Sequence, residues 1–270
     1  MSPVTSGRDE APPGAAPAVF RATGVLDAIA DSPQGFLSLS DLAREVGIAK
    51  SSALTICTAL EAGGLVRRDE LGYWLGRRLV ELGGSYLSRL DQVREFYDAC
   101  ASSPVMARET LRLSALAGID TLCLARYEGR PAIRLTAGIG DSLPSSATAQ
   151  GKALLARLDD AEVERLYHGI PSLPTMTSRS HRTLTDLLED LAQVRHRGYA
   201  VDEEEAAENV VGLAVSLPTR GSHAPLLAIS VTLLDRDATP DRRAAMVAEL
   251  AALSRQLGNP MQPDPAPLQA

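Results

Sequence analysis

The apolar and polar positions from Lys50 to Ala62 follow the period of an α-helix and divide its surface into two unlike sides. One side is broad and apolar, and its members are Ala53, Leu54, Ile56, Cys57 and Leu60. The other side carries little more than small hydroxyls, at Ser51, Ser52, Thr55 and Thr58. The first side predicts burial, and the second predicts a surface that another molecule can approach closely.

A shorter helix is predicted just before this one. Ser40 is a favourable N-cap and Asp41 suits the first turn. Leu42 and Val46 would then face inward, and Gly47 permits the left-handed turn that ends the helix. Two helices joined by so tight a turn are typical of a helix-turn-helix, whose second helix enters the major groove of DNA. An ordinary helical hairpin with a solvated polar side explains the same pattern.

A strand hairpin is predicted next, with two short strands around the turn Asp69–Gly72. It would form a wing beside the second helix, and Arg67 and Arg68 on it are placed to meet DNA phosphates. Between residues 44 and 78 six basic residues stand against four acidic ones, although the whole chain has a net charge of -7. The acidic total argues against indiscriminate nucleic-acid binding, so the basic surface is local.

The rest of the pattern predicts a linker and a mixed domain. Apolar residues from Leu79 to Tyr97 recur at intervals of three and four, which predicts one long amphipathic helix. Further on, Thr121–Tyr127 and Ala132–Thr136 read as a strand hairpin, and two apolar strands, VVGLAVSLP and LLAISVTLL, are joined by a turn. Helical segments stand between and after these strands. The fold class expected is therefore α+β with an antiparallel sheet.

Composition narrows the class of protein. The chain has 270 residues, enough for roughly two domains, and its 45% apolar and 23% charged residues are typical of globular proteins. No apolar run is long enough to span a bilayer, and the N-terminus lacks the apolar core of a signal peptide. Cys57, Cys100 and Cys123 form no CxxC pair, so we expect buried thiols in a cytoplasmic protein.

The residues that catalysis would need form no recognisable pattern. The segment ATAQGKA lacks the first glycine and the final Ser or Thr of a phosphate-binding loop. The four histidines show no metal-ligand spacing, and no GxSxG nucleophile motif occurs. The acidic run Asp202–Glu205 is more typical of a solvated loop than of a metal or acid–base site. We therefore expect no catalytic residue, no metal site and no cofactor.

Several motifs in sequence order resemble the IclR-type bacterial transcriptional regulators. Residues 20–76 resemble the winged helix-turn-helix of that family, and the resemblance continues in LPSSATAQGKALLA, LTDLLEDLAQVRHRGYAVDEEE and LLAISVTLL. It implies an N-terminal winged helix-turn-helix, a linker helix and a C-terminal GAF-like domain that binds a small organic or aromatic acid. It also implies a homodimer or a dimer of dimers that represses or activates operons by binding double-stranded operator DNA.

The resemblance further implies an effector site. Its residues would be Ala149, Gln150, Asp202, Gly212, Ser230 and Thr232. Gln150 and Gly212 depart from the family pattern, in which a smaller residue and a cysteine are frequent. A physical argument supports the site, because free peptide N–H groups around Ala149–Gly151 at a helix N-terminus can hold a carboxylate without an arginine. Packed strand residues and a turn cap explain the same positions without any ligand.

These observations combine into one expectation. The DNA-binding residues would be Ser40, Lys50, Ser51, Ser52, Thr55, Thr58, Arg67, Arg68 and Tyr73. The domains would be a winged helix-turn-helix at 18–76, a linker helix at 77–103 and an effector-binding domain at 104–258, with disordered tails at 1–17 and 259–270. The protein would be a transcription factor whose operator affinity is modulated by a small acid. The alternatives are a protein-interaction module that keeps the winged-helix shape, and a small-molecule enzyme.

Overall fold

The computed structural model describes residues 14–129, 137–220 and 224–258. The chain forms two compact units whose boundary in the sequence lies between Arg89 and Leu90. The tail expected at 259–270 and most of the tail expected at 1–17 lie outside the described residues. None of the helices in the described ranges combines the length and the apolar character that crossing a bilayer requires.

The N-terminal unit consists of helices and short strands. The helices are α1 (Pro17–Asp31), α2 (Leu39–Glu45), α3 (Lys50–Ala62) and α4 (Arg78–Leu87), and the strands are β1 (Phe36–Leu37), β2 (Val66–Arg68) and β3 (Tyr73–Leu75). Strand β3 pairs with both β1 and β2 in an antiparallel sheet. The predicted helix-turn-helix and wing are confirmed. Strand β1 was not predicted, because two residues are too few to show an alternation.

One apolar core joins the first three helices to the wing. Val25 and Ile29 of α1, Leu42 of α2 and Cys57 of α3 are all buried in it. Gly47 turns the chain from α2 into α3 with a φ of +68°, the left-handed conformation that the sequence predicted. Because the apolar side of α3 must face this core, its opposite side must face outwards.

Two local predictions in this unit were wrong. The N-cap of α2 is Ser38 rather than Ser40, because the Ser38 Oγ accepts a hydrogen bond from the Asp41 amide at 3.2 Å. Ser40 lies in the first turn of α2 and is exposed. Leu54 was expected in the core but is 43% exposed. It stands three residues after Ser51 and therefore falls on the outward side of α3.

The single long helix predicted over residues 77–103 is two helices in the structure. Helix α4 ends at Leu87, and α5 (Asp91–Ser102) begins after Leu90, whose φ of -103° and ψ of 91° are extended. The apolar pattern runs across the break because three intervening residues are close to one helical turn and preserve the phase. No side chain of α4 is buried in this structure. Helix α5 buries Phe96 and its neighbours within the C-terminal unit.

The C-terminal unit is built on a six-stranded antiparallel sheet. Its strands are β4 (Thr110–Ala117), β5 (Asp120–Glu128), β6 (Ser142–Pro144), β7 (Ala200–Glu203), β8 (Val210–Ser216) and β9 (Leu227–Leu234), in the order β6-β5-β4-β9-β8-β7. Besides α5, its helices are α6 (Ala149–Leu155), α7 (Asp160–Leu166), α8 (Leu184–Arg197) and α9 (Pro240–Leu257). The predicted α+β class is confirmed. In the described residues β5 pairs with β4 and β6, and the partner predicted for it, Ala132–Thr136, lies outside them.

Both faces of this sheet are covered by helices, and one of the two faces also carries buried polar side chains. Helix α6 packs against Ala200, Ala214 and Ala228 of the sheet. Successive side chains of a strand point to opposite faces, so Leu113 and Ile229 lie on the other face, against which α5 and α9 pack. On the α6 face, strands β4 and β9 carry buried polar side chains. These are Thr110, Arg112, Ser114, Ser230 and Thr232.

The start of α6 is fixed by a close contact between the backbones of Gly151 and Ser145. A Cβ atom at Gly151 would overlap the backbone of Ser145, because the two chains touch there. We expect Gly151→Ala to lower the free energy of unfolding by about 1–3 kcal/mol or more, since overpacking forces the backbone apart. Urea denaturation followed by circular dichroism measures the change.

Gly83 provides the matched control. It lies within α4, and a Cβ there would meet nothing within 4 Å. Gly83→Ala should leave stability unchanged or raise it by up to ~1 kcal/mol, because alanine favours a helix. If Gly151→Ala unfolds at the same urea concentration as Gly83→Ala, the close contact does not determine where α6 begins.

Candidate functional site

The outward side of α3 presents a row of small side chains. Lys50, Ser51, Thr55 and Thr58 are exposed, and Ser52 is half-buried at the edge of the row. The helical period predicted the four hydroxyl residues on this surface, and Lys50 was expected among the DNA-binding residues. The structure brings all five together along one helix, because the opposite side of α3 is buried in the core of the unit.

Two of the hydroxyls in this row are not free donors. The Thr55 Oγ1 donates to the carbonyl of Ser51 at 3.0 Å, and the Thr58 Oγ1 donates to the carbonyl of Leu54 at 2.9 Å. Small hydroxyls on a recognition helix could otherwise donate to phosphates or base edges. Here they offer oxygen lone pairs and methyl groups instead. Together with the exposed Leu54, they make the middle of the surface suitable for apolar contact with thymine methyl groups as well as for hydrogen bonds.

The wing holds two arginines over aromatic rings. The Asp69 Oδ1 accepts hydrogen bonds from the amides of Leu71 and Gly72, at 2.9 and 3.2 Å, and so closes the turn. The Arg67 guanidinium lies 4.5 Å from the centre of the Trp74 ring and 3.1 Å from an Asp69 carboxylate oxygen. These contacts reduce the side-chain freedom of an exposed cation.

Tyr73 was expected to contact DNA, and the structure places it elsewhere. Its side chain is only 2% exposed and packs in the core with Val66. The Arg68 guanidinium lies 5.4 Å from the centre of its ring. Burial raises the pKa of the Tyr73 hydroxyl. The ring of Tyr73 therefore packs under the Arg68 guanidinium. A strand of three residues is too short for its alternation to show which side chains face the core.

In the C-terminal unit, four of the six expected effector residues meet on the α6 face of the sheet. Asp202, Gly212 and Thr232 are direct register partners on β7, β8 and β9. Ala149 in the first turn of α6 lies against Gly212. Ser230 is on the same face, two residues before Thr232 on β9. The sixth residue, Gln150, is buried next to Ala149 in the first turn of α6.

Gly212 does not leave an empty space. A Cβ atom at this position would lie 3.2 Å from the Cβ of Ala149 and 3.2 Å from the Cβ of Asp202. The glycine therefore permits α6 and Asp202 to approach β8 closely. A cysteine at this position, as is frequent in the resembling family, would require α6 or Asp202 to move.

The peptide groups at the start of α6 are partly occupied. The Thr148 Oγ1 accepts a hydrogen bond from the Gly151 amide at 3.2 Å, as an N-cap does. The Gly151 amide, which was expected among the donors for a carboxylate, is therefore already occupied. A bound anion would therefore need a further source of positive charge.

Asp202 is a buried carboxyl with an unusual pKa. Its Oδ1 accepts hydrogen bonds from the amides of Glu205 and Ala206, at 2.6 and 3.2 Å. Burial, followed by the negative charge of Glu205, raises the pKa of Asp202 to about 7. This side chain therefore exchanges its proton near neutral pH.

Lys152 forms a buried ion-pair network that the sequence analysis missed. Its ammonium is 2.7 Å from Asp190 and 2.5 Å from Glu205, and its side chain is only 1% exposed. His181 Nε2 lies 3.3 Å from the same Asp190 oxygen. Although burial opposes it, the His181 hydrogen bond and the Lys152 charge lower the pKa of Asp190 to about 2. The partners are 38 and 53 residues from Lys152, so no local sequence pattern could reveal the network.

Histidine and carboxylate oxygens in this network stand close enough to resemble a metal site. The candidate ligand atoms of His181, Asp190 and Glu205 all lie within 4.8 Å of one another. Spacing along the chain does not reveal this grouping, because its members come from separate segments of the chain. The Lys152 ammonium already bridges the two carboxylates and supplies the positive charge that they need.

A further charged residue on the α6 face was also missed. Arg112 of β4 is the register partner of Ser230 and is only 5% exposed. Its Nε donates to the carbonyl of Ala137 at 3.3 Å, and among the described residues no carboxylate lies within 4.0 Å of its guanidinium. Burial lowers its pKa. The alternation TLRLS was the available signal, but such a pattern ordinarily indicates a solvated polar face.

The Asp202 carboxyl gives a prediction for the pH dependence of stability. Its folded-state pKa of about 7 is above the ordinary value of 3.8, so ionisation destabilises the fold. The wild-type protein should lose this part of its stability as the pH rises from about 4 through 7. Asp202→Asn, which keeps the Oδ1 acceptor, should be roughly 1–4 kcal/mol more stable than wild type at pH 8 and lose that advantage near pH 4.

Urea denaturation at a series of pH values measures this effect. Asp98→Asn, on the exposed side of α5, is the control for the loss of one carboxylate and should show little change at any pH. A constant difference between Asp202→Asn and wild type from pH 4 to pH 8 would contradict the raised pKa.

Comparisons with known proteins agree with both halves of the structure. Residues 18–70 match the family model described as "IclR helix-turn-helix domain", and residues 87–259 match "Bacterial transcriptional regulator IclR C-terminal". The chain is 30% identical over 226 residues to the transcriptional repressor IclR of Escherichia coli K12, covering 81% of this chain and 80% of that protein. It is 30% identical over 249 residues to the regulator XynR of the same organism, covering 90% and 97%.

A solved structure has the same fold. It is that of an IclR homolog from Microbacterium hydrocarbonoxydans complexed with 4-hydroxybenzoate, and it matches with a TM-score of 0.73 at 22% identity. The match covers 89% of this chain and 97% of that one. The likeness therefore extends over both units.

Proposed function

We propose a function for this chain, which belongs to the IclR family of bacterial transcriptional regulators. It binds operator DNA through α3 and the wing. Its affinity for the operator changes when a small organic or aromatic acid binds the C-terminal unit. The observation that carries the proposal is the outward side of α3, where small side chains and Lys50 stand over a helix-turn-helix core. Such a surface permits close approach to a major groove.

The DNA-binding residues follow from this surface. We propose that Ser40, Lys50, Ser51, Ser52, Thr55 and Thr58 contact DNA from α2 and α3, and that Arg67 and Arg68 contact phosphates from the wing. Tyr73 is left out because it is buried. Residues 18–76 would then be the DNA-binding domain and residues 104–258 the effector-binding domain, with 77–103 connecting them. The protein would act in the cytoplasm, where its operator lies, as a regulator without catalytic activity.

We also propose that the chain assembles as a homodimer or a dimer of dimers. Val80, Leu82 and Tyr86 of α4 are 77%, 47% and 48% exposed, although all three are large apolar or aromatic residues. Contact between α4 helices of two chains would remove this surface from water. A dimer would place two α3 helices in successive major grooves, ~34–36 Å apart.

The effector site is proposed on the α6 face of the sheet. Support comes from the meeting of Ala149, Asp202, Gly212 and Thr232, with Ser230 and Gln150 beside them. The homolog of known structure that contains 4-hydroxybenzoate makes a small acid the appropriate class of ligand to test.

A gel shift with purified protein tests the function directly. The DNA upstream of the protein's own gene is used at two salt concentrations, with unlabelled non-specific competitor. A discrete shift that survives the competitor is expected for a regulator that reads sequence. Smearing that disappears with salt, in the presence and absence of candidate acids, would instead indicate an interaction module that keeps only the family's shape.

The two wing arginines should contribute unequally to DNA binding. Arg67 is ion-paired to Asp69, whereas Arg68 stands over Tyr73 and has no carboxylate within 4.0 Å among the described residues. We expect Arg68→Ala to weaken operator and non-specific DNA alike and to reduce the slope of log affinity against log salt by about 0.9. Arg67→Ala should have a smaller effect, because Asp69 already neutralises part of its charge.

Fluorescence anisotropy across a salt series measures both slopes. Arg236→Ala removes an exposed arginine from the C-terminal unit and serves as the control for the change in net charge. Salt slopes for Arg68→Ala and Arg236→Ala that equal that of wild type would remove the wing from the DNA-binding surface.

Effector binding should change operator affinity by about 5–150-fold, the range of ordinary allosteric coupling. A panel of small organic and aromatic acids that includes 4-hydroxybenzoate is first tested for binding by calorimetry. Operator titrations are then made with and without the acid that binds, and with its neutral amide as the control. An acid that saturates the protein and leaves operator affinity unchanged would contradict the coupling.

A further inference from the structure

The α6 face of the sheet contains two adjacent polar side chains whose hydrogen-bonding groups are incompletely paired among the described residues. Arg112 and Ser230 are register partners on β4 and β9, so their side chains stand side by side. Both are buried, at 5% and 2% exposure. Among the described residues, the Ser230 Oγ has no hydrogen-bond partner, and the Arg112 guanidinium has one bond, from its Nε to the carbonyl of Ala137.

A buried guanidinium in such a state is costly to the fold. Removing a charge from water costs several kcal/mol unless an opposite charge and further hydrogen bonds compensate. Four of the five N–H donors of Arg112 lack a described partner, because only the Nε bond is present. The other buried cation on this side of the sheet, Lys152, has two carboxylates within 2.7 Å. Arg112 is therefore an exception within its own unit.

The neighbouring Arg126 differs from Arg112 in having a carboxylate close to its guanidinium. Arg126 of β5 is the register partner of Arg112 on its other side, and an oxygen of Glu128 lies 2.6 Å from its guanidinium. Asp202 on the α6 face and Asp141 both interact with Arg112, but only through charge at longer range and without a hydrogen bond. Two neighbouring arginines thus produce a positive region, and one of them has no carboxylate within 4.0 Å among the described residues.

We propose that Arg112 is the carboxylate-binding residue of the effector site, with its terminal N–H groups donating to the carboxylate of the ligand and Ser230 donating to the same ligand from the neighbouring strand. The planar, forked guanidinium matches a carboxylate with two parallel hydrogen bonds. This inference rests on the proposed function for one point, which is that the anion bound by Arg112 is the effector.

The charges around Arg112 also indicate the class of acid. A single guanidinium without a counter-ion balances one negative charge, and Asp202 on the same face adds negative potential. A monocarboxylate is therefore favoured over a dicarboxylate or a phosphate dianion. Since the Gly151 amide is taken by Thr148, the helix N-terminus contributes less to anion binding than Arg112 does.

Thermal unfolding of the full chain tests this inference without knowledge of the natural ligand. The probe is sodium formate, the smallest carboxylate, compared with sodium chloride at equal ionic strength. We expect 200 mM formate to raise the unfolding midpoint of the wild-type protein by about 2–4 °C over chloride. Arg112→Met should abolish this difference, and Arg112→Lys, which keeps the charge but not the fork, should retain a smaller one.

The same variants give a test in carboxylate-free buffer. Because the Arg112 charge is not compensated there, Arg112→Met should unfold at the same temperature as wild type or at a higher one. Arg242→Met is the matched control, since Arg242 lies 2.9 and 3.0 Å from the two oxygens of Glu109. It should lower the midpoint and keep the full response to formate.

Two results would overturn the inference. A midpoint for Arg112→Met as low as that of Arg242→Met, or failure of Arg112→Met to fold, would mean that Arg112 has a structural partner. An equal response of wild type and Arg112→Met to formate, including no response in either, would mean that Arg112 does not bind carboxylates. The operator gel shift is independent of both, so the proposed function can stand while this inference fails.

Discussion

The buried ammonium of Lys152 is the constraint on which the C-terminal unit depends. A charge with 1% exposure is tolerated only when opposite charges surround it, and here Asp190 of α8 and Glu205 after β7 do so. These contacts fix α6 to α8 and to the segment that follows β7. Loss of both carboxylates would leave the buried ammonium without a counter-charge, and each of them ties Lys152 to a different element of the fold. The first turn of α6, which carries Ala149 and Gln150, takes its position from this assembly.

Small residues then allow α6 to lie close to the sheet. Gly151 permits backbone contact with Ser145, and Gly212 permits contact among β8, Ala149 and Asp202. On the α6 face of the sheet, alanine side chains therefore pack against α6 over one part. Beside this part, polar side chains of β4 and β9 are buried without a full set of hydrogen bonds. Natural folds contain few such unpaired groups, so each one calls for a physical explanation. If these residues bind the proposed effector, stability and ligand binding compete at the same positions.

The N-terminal unit reaches its function by a simpler route. Its core requires the apolar side of α3, and that requirement alone turns the small hydroxyls outwards. In the wing, aromatic rings beneath Arg67 and Arg68 hold two cations at the surface. The residues that stabilise this unit are thus the ones that position its proposed DNA-binding residues. The C-terminal unit differs, because its proposed ligand would be surrounded by residues from several strands and a helix.

The sequence by itself determined the helix-turn-helix, the wing, the α+β class and the outward row on α3, because a helical period, a glycine turn and a strand alternation act over a few neighbouring residues. It also placed Asp202, Gly212 and Thr232 at one site, though only through resemblance to a family. Tertiary structure alone decided that Tyr73 is buried, that residues 77–103 form two helices, that Lys152 joins Asp190 and Glu205, and that Arg112 stands beside Ser230. Apart from the break between the two helices, each of these depends on which face of a strand or helix is covered by residues distant in the chain. Burial by distant residues leaves no periodic trace in the local sequence, and it is burial that turns an ordinary arginine into a candidate binding group.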